Sequence, residues 1–337
     1  MDCLMKAIWL SNICVLVVDV TDGVFERDFN NPIGNIRTHL QMAGAVGLTN
    51  LIVCLTKCDL LPESELNSRL EEIKSKLSTF LLWKNVPFIP VSCVKNENIF
   101  TPIGDEFSQG KSLESVLKEI NIEPRKEWIE KPLMMAILDK YKIAGVGTVV
   151  AGKIITGRVQ VDQQVYYRDD YSNPLRSIEI AFEPRNEAIC GEFCGINIKH
   201  VSAREIESHF IVHDQAYLET EKRAVESFRA LIKIMNQPKN GIKVGYTFKL
   251  YHSVTNQCIC KIEDIIATVN PKTNKKIEAY PNKLKKGDFV EVRLRPVISK
   301  ESKTCYLETF ERNETLGRII LMNGKLIIGV GKVLKIN

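Results

Sequence analysis

The chain has 337 residues, 45% of them hydrophobic and 26% charged, a composition typical of a soluble globular protein with two or three domains. Its net charge of +5 is compatible with RNA or ribosome contact but does not require it. No apolar run approaches the roughly 18 residues of a membrane span, Met1–Leu10 makes a poor signal peptide, and no paired CxxC units indicate zinc, so membrane, secreted and zinc-binding classes are disfavoured.

The ten cysteines are interpreted as reduced thiols of a cytosolic protein. Cys258 and Cys260 would share one face of a strand, and their side chains are expected to be too far apart along it for an easy disulfide.

The first third of the sequence alternates strand and helix patterns. Continuous apolar runs of strand length are Ile13–Val20, Asn50–Lys57 and Val86–Cys93. Helical patterns are found in Asn35–Leu48, Glu63–Trp83 and Ser112–Ile120, the last with Ser112 as its N-cap. Buried strands separated by helices predict a parallel sheet with helices on its faces.

The pattern changes at Asn121–Pro132, where two prolines and a run of charges predict a linker. From Leu133 onward, short runs with alternating or β-branched residues predict all-β barrels or sandwiches. A second break is expected near Val212–Phe228, where charges increase and the strand pattern lapses.

The strand ending at Thr56-Lys57-Cys58-Asp59 carries the main chemical signal. A parallel strand brings its carboxyl end to the ligand crevice of an α/β sheet. An aspartate there can accept hydrogen bonds from guanine N1–H and the exocyclic amine, which adenine does not offer in that place. The aliphatic part of Lys57 can lie on the base while its ammonium stays near the ribose. A chance match to this loose [Asn/Thr]-Lys-x-Asp pattern remains the alternative.

The next strand ends at Ser92-Cys93-Val94. Backbone amides there can meet guanine O6 from the other side of the base. An ordinary exit from strand to loop is the alternative. Two consecutive strand ends with suitable residues favour a guanine site over either alternative.

These motifs, with their order along the chain, resemble the translational GTPases of the elongation factor 1-alpha superfamily. That group includes the elongation factor, the GTPase partner of the eukaryotic release factor and the ribosome-rescue GTPase that partners Pelota. The similar segments, in order, are Ile13–Phe29, Asn35–Leu60, Lys131–Val159, Glu187–Val201, Gly245–His252 and Leu307–Ile336. Lys131–Val159, which resembles the opening of the second-domain barrel, is the most specific of them.

The resemblance implies a partial α/β P-loop-type G domain, with a parallel sheet, followed by two all-β barrels. It places the C-terminal portion of a GTP-binding domain at 1–128 and the barrels at 129–217 and 218–337. Thr56, Lys57 and Asp59 match the base-specificity motif, with threonine in place of the usual asparagine. Ser92, Cys93 and Val94 match the second guanine-contact loop. GTP or GDP is the implied cofactor, with Mg²⁺ only if the missing N-terminal segment is supplied.

Two family motifs are absent from the printed sequence. No Gly-x-x-x-x-Gly-Lys-[Ser/Thr] holds the phosphates, and no Asp-x-x-Gly with its following histidine positions the catalytic water. In the family both lie upstream of the segment that matches Met5–Val18. We therefore expect no catalytic or metal-binding residues, a hydrolysis-deficient chain, and either a shortened product or a degenerate family member. His39 is interpreted as a structural or surface histidine.

The resemblance further implies a cytoplasmic translation factor that acts at the ribosome without a membrane. Its cargo would be aminoacyl-tRNA or a release-factor-like or Pelota-like protein, and some segments look slightly closer to the release and rescue branch. The sulfate-activation GTPases share the architecture and are a more distant option. A non-catalytic module that binds the ribosome or a partner through the barrels is the alternative function.

The lysine-rich stretches Asn270–Lys276 and Asn282–Asp288 could touch RNA phosphate or an acidic partner, but solvated loops are the favoured interpretation. The same interpretation applies to Lys239 and Lys243.

Overall fold

The computed structural model describes residues 2–122, 126–168, 171–206, 211–213, 225–238, 241–252, 257–273, 275–281, 284–297 and 307–337. The chain divides into two compact units, Ser11–Ile122 and Met1–Leu10 with Glu123–Asn337. Among the described residues, no helix has the length and apolarity needed to cross a membrane.

The first unit is a small parallel sheet with helices on both faces. After helix α1 (Asp2–Leu10), its elements are β1 (Ile13–Asp19), α2 (Val24–Phe29), α3 (Asn35–Ala45), β2 (Asn50–Thr56), a 3₁₀ turn (Cys58–Leu60), α4 (Glu63–Ser78), β3 (Phe88–Pro90) and α5 (Leu113–Glu119). The strand order is β1-β2-β3, with both pairs parallel. The predicted parallel sheet is confirmed.

Side chains alternate between the two faces of this sheet, and each face has its own apolar core. On one face, Leu16 and Val18 pack with residues of α2, α3 and α4, including Phe25, Leu40 and Ile73. On the other face, buried residues of β2 and β3 pack against Val116 of α5. Since β1 is an edge strand in the described structure, its Val15 and Val17 are 38% and 62% exposed.

Several predicted boundaries needed correction. Helix α4 ends at Ser78 rather than at Trp83, because Phe80, Leu81 and Trp83 pack irregularly against the core and the Trp83 indole donates a hydrogen bond to the Leu48 carbonyl (2.7 Å). Val24–Phe29, for which the sequence patterns predicted no helix, forms helix α2. The predicted cap of α5 is confirmed, since the Ser112 hydroxyl accepts the Ser115 amide at 3.2 Å.

The second unit contains a closed barrel formed by residues after the predicted linker. The linker itself includes helix α6 (Lys126–Ile129). The strands are β4 (Met134–Ile143), β5 (Gly147–Thr156), β6 (Arg158–Gln160), β7 (Gln164–Arg168), β8 (Tyr171–Ile180), β9 (Glu183–Arg185), β10 (Glu187–Ile189), β11 (Phe193–Ile198) and β12 (Ile211–His213). The sheet order is β11-β5-β4-β12-β7-β8-β9, and the additional β11–β8 pairing closes the ring.

A second closed barrel follows in the same unit. Its strands are β13 (Phe228–Ile234), β14 (Thr247–Tyr251), β15 (Gln257–Val269), β16 (Lys276–Ala279), β17 (Phe289–Pro296), β18 (Arg318–Asn323) and β19 (Leu326–Ile336). The order is β14-β18-β19-β13-β17-β15-β16, with β14 also paired to β15. Burial alternates along β13, where Phe228, Ala230, Ile232 and Ile234 point into the barrel. Barrels rather than sandwiches are therefore confirmed.

The predicted domain boundaries at 128/129 and 217/218 stay predictions. Strand β12 pairs with β4 and β7, so the first barrel includes His213, while residues 214–224 of the second expected break lie outside the described residues. Helix α1, expected in the first domain, groups instead with the barrel unit, where the Lys153 ammonium donates to the Leu10 carbonyl at 3.1 Å.

Free thiols among the described residues are those of Cys14, Cys54, Cys58, Cys93, Cys190, Cys194, Cys258 and Cys260. Cys258 and Cys260 are buried on the same side of β15 with their sulfurs 3.5 Å apart. Both thiols are free, as expected, although their sulfurs lie closer together than the expectation allowed, because both turn into the same crowded barrel core.

Candidate functional site

The two predicted loops lie side by side at the carboxyl edge of the parallel sheet. Strands β2 and β3 run parallel with Leu55 opposite Pro90. The pairing continues past the strands, since the Val91 amide donates to the Leu55 carbonyl at 2.8 Å and the Cys58 amide donates to the Val91 carbonyl at 3.4 Å. The segment carrying Asp59 and the segment carrying Ser92 are thus joined by backbone hydrogen bonds.

Thr56 is the last residue of β2 and faces β1. Its hydroxyl donates to the Val18 carbonyl at 3.2 Å, and its own carbonyl accepts from the Val20 amide at 3.2 Å. Thr56 therefore ties the end of β2 to the end of β1.

Lys57 turns the chain out of the strand. Its φ of 67° lies in the left-handed region, which is unusual for a residue with a side chain. Its ammonium lies 2.7 Å from Asp19 Oδ2, the last residue of β1. The lysine is thus anchored at a neighbouring strand end.

Asp59 sits in the 3₁₀ turn that follows and is half-buried. Within the described residues, its carboxylate forms no hydrogen bond or ion pair, so its oxygens are available to a ligand. Cys58 faces back toward the strand, with its thiol 3.3 Å from the Leu55 carbonyl, and burial raises its pKa to about 11. The residue between Lys57 and Asp59 therefore points back toward the strand.

Ser92 forms the base of the second loop. It is 1% exposed, pairs with Glu97 through two backbone hydrogen bonds of 2.9 and 3.2 Å, and its hydroxyl accepts the Lys95 amide at 3.1 Å. Cys93 and Val94 lie on the exposed tip, and neither backbone amide has an acceptor among the described residues. The loop therefore presents two free donors.

The arrangement suits the Watson–Crick edge of guanine. Asp59 offers two acceptor oxygens for N1–H and the exocyclic amine, and the amides of Cys93 and Val94 offer donors for O6. Adenine has an unprotonated N1 and an amine at C6, so it would leave the carboxylate and amides without partners, which costs more than the contacts gain.

In the described part of the chain, no group of three or more His, Cys, Asp or Glu side chains is placed to hold a metal ion. His39 lines an open cavity of about 520 Å³ beside β1 and α3, and burial lowers its pKa. It is half-buried, which agrees with its interpretation as a structural or surface histidine.

Two residues of the site were not predicted from the sequence. Asp19 holds Lys57, and it could have been noticed as a carboxylate at the end of an apolar run, the same signal that drew attention to Asp59. Asn98 is fully buried and shapes the second loop, since its amide donates to the Pro90 carbonyl at 2.9 Å and its oxygen accepts the Ile103 amide at 3.3 Å.

Comparison with known families identifies two matching regions. Residues 4–142 match the Elongation factor Tu GTP binding domain. Residues 227–334 match the GTP-eEF1A C-terminal domain-like family.

Similar curated proteins align along nearly the whole chain. Elongation factor 1-alpha of Pyrococcus furiosus is 32% identical over 333 residues, covering 96% of this chain and 73% of that protein. Elongation factor 1-alpha of Methanopyrus kandleri is 30% identical over 336 residues, covering 96% of this chain and 75% of that protein.

Similar solved structures include two GTP-analogue complexes. Elongation factor SelB from Methanococcus maripaludis with GppNHp has a TM-score of 0.73 at 21% identity, covering 100% of this chain and 68% of that chain. Sup35 complexed with GMPPNP has a TM-score of 0.54 at 24% identity, covering 97% and 79%. At these identities the structural similarities show the fold alone.

Proposed function

Because the chain belongs to the translational GTPases of the elongation factor 1-alpha superfamily, we propose that it is a translation factor that recognises guanine through Asp59 and the loop at Ser92–Val94. Its two barrels would carry a tRNA or a tRNA-shaped protein to the ribosomal A site. As a family member of this kind it would act in the cytoplasm.

The observation that carries the proposal is the pairing of acceptor and donors on two joined loops. The Asp59 carboxylate and the amides of Cys93 and Val94 are free among the described residues, and the hydrogen bond from Cys58 to Val91 holds their loops together. The tip at Cys93 and Val94 is exposed, so a ligand can reach these donors.

The two predicted loops supply no contacts to the phosphates of a bound nucleotide. A bound guanine nucleotide, with Mg²⁺, supplies the bond that is broken in hydrolysis, and its charge must be balanced by a phosphate loop. The 337 printed residues contain no such loop, so base contacts are the contribution this chain makes. We therefore infer that the chain as printed holds GTP weakly and does not hydrolyse it efficiently, because most charge-assisted hydrogen bonds to the phosphates are missing.

The cargo proposed first is a release-factor-like or Pelota-like protein, with aminoacyl-tRNA as the competing cargo. The segments 139–153 and 307–336 support this preference, since they resemble the release and rescue branch slightly more closely, while residues 141–149 resemble the elongation factor equally well. The alternative is a non-catalytic module that docks on a ribosome or partner through the barrels. Docking of this kind would require no phosphate loop.

Calorimetric titration with GTP, guanosine and adenosine tests the nucleotide part of the proposal. We expect GTP and guanosine to bind with dissociation constants within about threefold of each other, since neither gains phosphate contacts, and adenosine to bind at least about tenfold more weakly. A sub-micromolar dissociation constant for GTP would contradict the inferred phosphate deficiency. Equal affinities for guanosine and adenosine would contradict base recognition.

Co-sedimentation of the full chain with ribosomes tests the second part. The chain is added with aminoacyl-tRNA, a release-factor-like protein or a Pelota-like protein, and the proposal expects one of the two proteins to increase its ribosome-bound fraction. An increase with tRNA alone would reverse the preferred branch.

A further inference from the structure

The anchoring of Lys57 has a specific structural cause. A lysine at φ 67° is strained relative to a glycine, and this strain persists only where surrounding contacts fix it. Here the left-handed residue precedes the 3₁₀ turn Cys58–Leu60 and so redirects the chain from β2 into the turn that carries Asp59. A contact that fixes Lys57 therefore helps to place Asp59, together with the backbone hydrogen bonds from Cys58 to Val91 and from Leu60 to Lys57.

That contact is the carboxylate of Asp19, which is itself held in one orientation. Its Oδ1 accepts hydrogen bonds from the Thr21 amide (3.0 Å) and the Thr21 hydroxyl (2.7 Å). Its Oδ2 is left to meet the Lys57 ammonium at 2.7 Å. Although burial raises the pKa of Asp19, the hydrogen bonds from Lys57 and Thr21 outweigh it and lower the pKa below its ordinary value.

The segment from Asp19 to Glu26, at the end of β1 and after it, is also held by helix α4. Arg69 of α4, only 10% exposed, donates to the Val20 carbonyl at 3.0 Å and grips both oxygens of Glu26 at 2.7 and 2.9 Å. Helix α4 begins four residues after Asp59 in the chain. The contacts therefore link up in a ring. The base motif leads into α4, Arg69 of α4 contacts the residues after β1, and Asp19 at the end of β1 contacts Lys57 of the base motif.

We propose that Asp19 is a positioning residue of the guanine site, which holds Lys57 in its left-handed conformation and thereby places Asp59 for the base. This inference rests on the proposed function and adds to it a residue that contacts the lysine rather than the base. All of these contacts lie within the Ser11–Ile122 unit. They therefore order the base site without contacts from a phosphate loop.

The test compares the full-length wild-type chain with Asp19→Asn and Asp162→Asn. Asparagine keeps the size of Asp19 and an acceptor for Thr21, and removes the charge that faces Lys57. Asp162→Asn is the matched control, since Asp162 forms an exposed aspartate–lysine pair of 2.9 Å with Lys199 in the other unit.

The first readout needs no ligand. Hydrogen exchange is measured at the amides of Cys58, Leu60 and Leu61, which form the backbone hydrogen bonds of the turn. In Asp19→Asn these amides are expected to exchange at least about fivefold faster than in the wild type, and in Asp162→Asn within about twofold of it. Unchanged exchange in Asp19→Asn would overturn the positioning role, whatever the chain binds.

The second readout is guanosine affinity, with adenosine as the comparison. The dissociation constant for guanosine is expected to rise about fivefold in Asp19→Asn, because a partly exposed ion pair is worth a modest amount, and to stay unchanged in Asp162→Asn. If the wild type binds guanosine and Asp19→Asn binds it equally well, the inference is overturned while the proposed function stands. If the wild type shows no preference for guanosine but the turn still loosens in Asp19→Asn, the proposed function fails while the anchoring of Lys57 by Asp19 is supported.

Discussion

At the scale of single residues, the account depends on which polar groups are satisfied and which are free. Thr56 donates within the sheet and Lys57 is anchored by Asp19, whereas Asp59 has no partner among the residues that the structure describes. A half-buried carboxylate without a protein partner keeps its acceptor oxygens for water or a ligand. The free group is therefore the one assigned to the base.

Asp59→Asn should change which base is preferred. The asparagine oxygen can still accept from N1–H, but its amide would oppose the guanine amine and instead donate to the C2 carbonyl of xanthine. We expect guanosine affinity to fall at least about tenfold and xanthosine affinity to rise above it. A competition binding experiment between guanosine and xanthosine measures this change in base preference. An Asp59→Asn variant that still prefers guanosine would show that Asp59 does not contact the base.

Residue-level prediction from the sequence reached the features whose signal is local, and their contact with a base stays a prediction. A lysine and an aspartate after an apolar strand could be recognised in one stretch, and the structure places both loops together. Asp19 was missed because its role depends on a contact across 38 residues of sequence, which no local pattern shows. Asn98 was missed for a related reason, since its role depends on the hydrogen bond that its side chain donates to the Pro90 carbonyl, which the sequence alone does not show.

At the scale of elements, the Arg69 network joins α4 to the loop after β1. Arg69 and Lys76 both contact Glu26, and Glu72 contacts both cations. The hydrogen bond from Arg69 is the largest influence on Glu26 and lowers its pKa to about 2 from an ordinary 4.5. Removing the carboxylate would leave the largely buried Arg69 without its main partner.

Glu26→Gln should therefore destabilise the Ser11–Ile122 unit in a pH-dependent way. A carboxylate whose pKa is lowered by folding stabilises the protein above its unfolded pKa, and this contribution is lost as pH falls through the folded pKa. We expect a cost of about 2 kcal/mol near neutral pH, which declines below the ordinary pKa of 4.5 and disappears near pH 2. Urea unfolding followed by the helical circular dichroism signal measures it, because α2 to α5 lie in this unit.

The control for this prediction is Glu71→Gln, which breaks the exposed pair with Lys74 at 3.4 Å on α4 of the same unit. Its effect should be within about 0.5 kcal/mol at every pH. A cost for Glu26→Gln that stays constant down to pH 2 would contradict the assignment of the effect to the ionised carboxylate.

Gly157 is a second element-scale case, at the junction of β5 and β6. Its φ of +76° favours glycine, and an added Cβ would lie 2.6 Å from backbone atoms of Leu133. Gly157→Ala is expected to destabilise the first barrel by about 3 kcal/mol or more. Gly145→Ala separates the cost of the positive φ from the cost of the steric clash, since Gly145 has a φ of +77° with no atom within 4 Å of the added carbon.

Gly145→Ala should therefore cost only about 1 kcal/mol, the conformational part of the penalty. Thermal unfolding of both variants provides the comparison. Equal losses would mean that the close approach of Leu133 contributes nothing.

Element boundaries could be predicted only in part. Strands β1 and β2 were recognised nearly to their ends because their apolar runs are continuous, and α5 because Ser112 caps it. Helix α4 was predicted too long because Phe80–Trp83 continues an apolar pattern that tertiary packing, not helix formation, uses. Helix α2 was missed because it is short and lacks a capping side chain, since the left-handed Gly23 precedes it.

At the scale of the whole molecule, alternation of strands and helices followed by β-rich sequence was enough to predict the order of the architectures. The closure of each barrel was not contained in any local pattern, because it depends on pairings between distant strands such as β8 with β11 and β14 with β15. The grouping of α1 with the barrel unit also depends on such contacts. The family resemblance supplied what periodicity could not.

The central claim is that the loops at Asp59 and at Ser92–Val94, both in the Ser11–Ile122 unit, bind one guanine base. The most direct measurement is a series of amide proton–nitrogen correlation spectra of the full chain, titrated with guanosine and separately with adenosine. We expect guanosine to shift the amides of Cys93, Val94 and Asp59 selectively, with signals of the two barrels unchanged, and adenosine to leave all of them in place. Shifts of equal size with adenosine, or guanosine shifts that avoid both loops, would contradict the account.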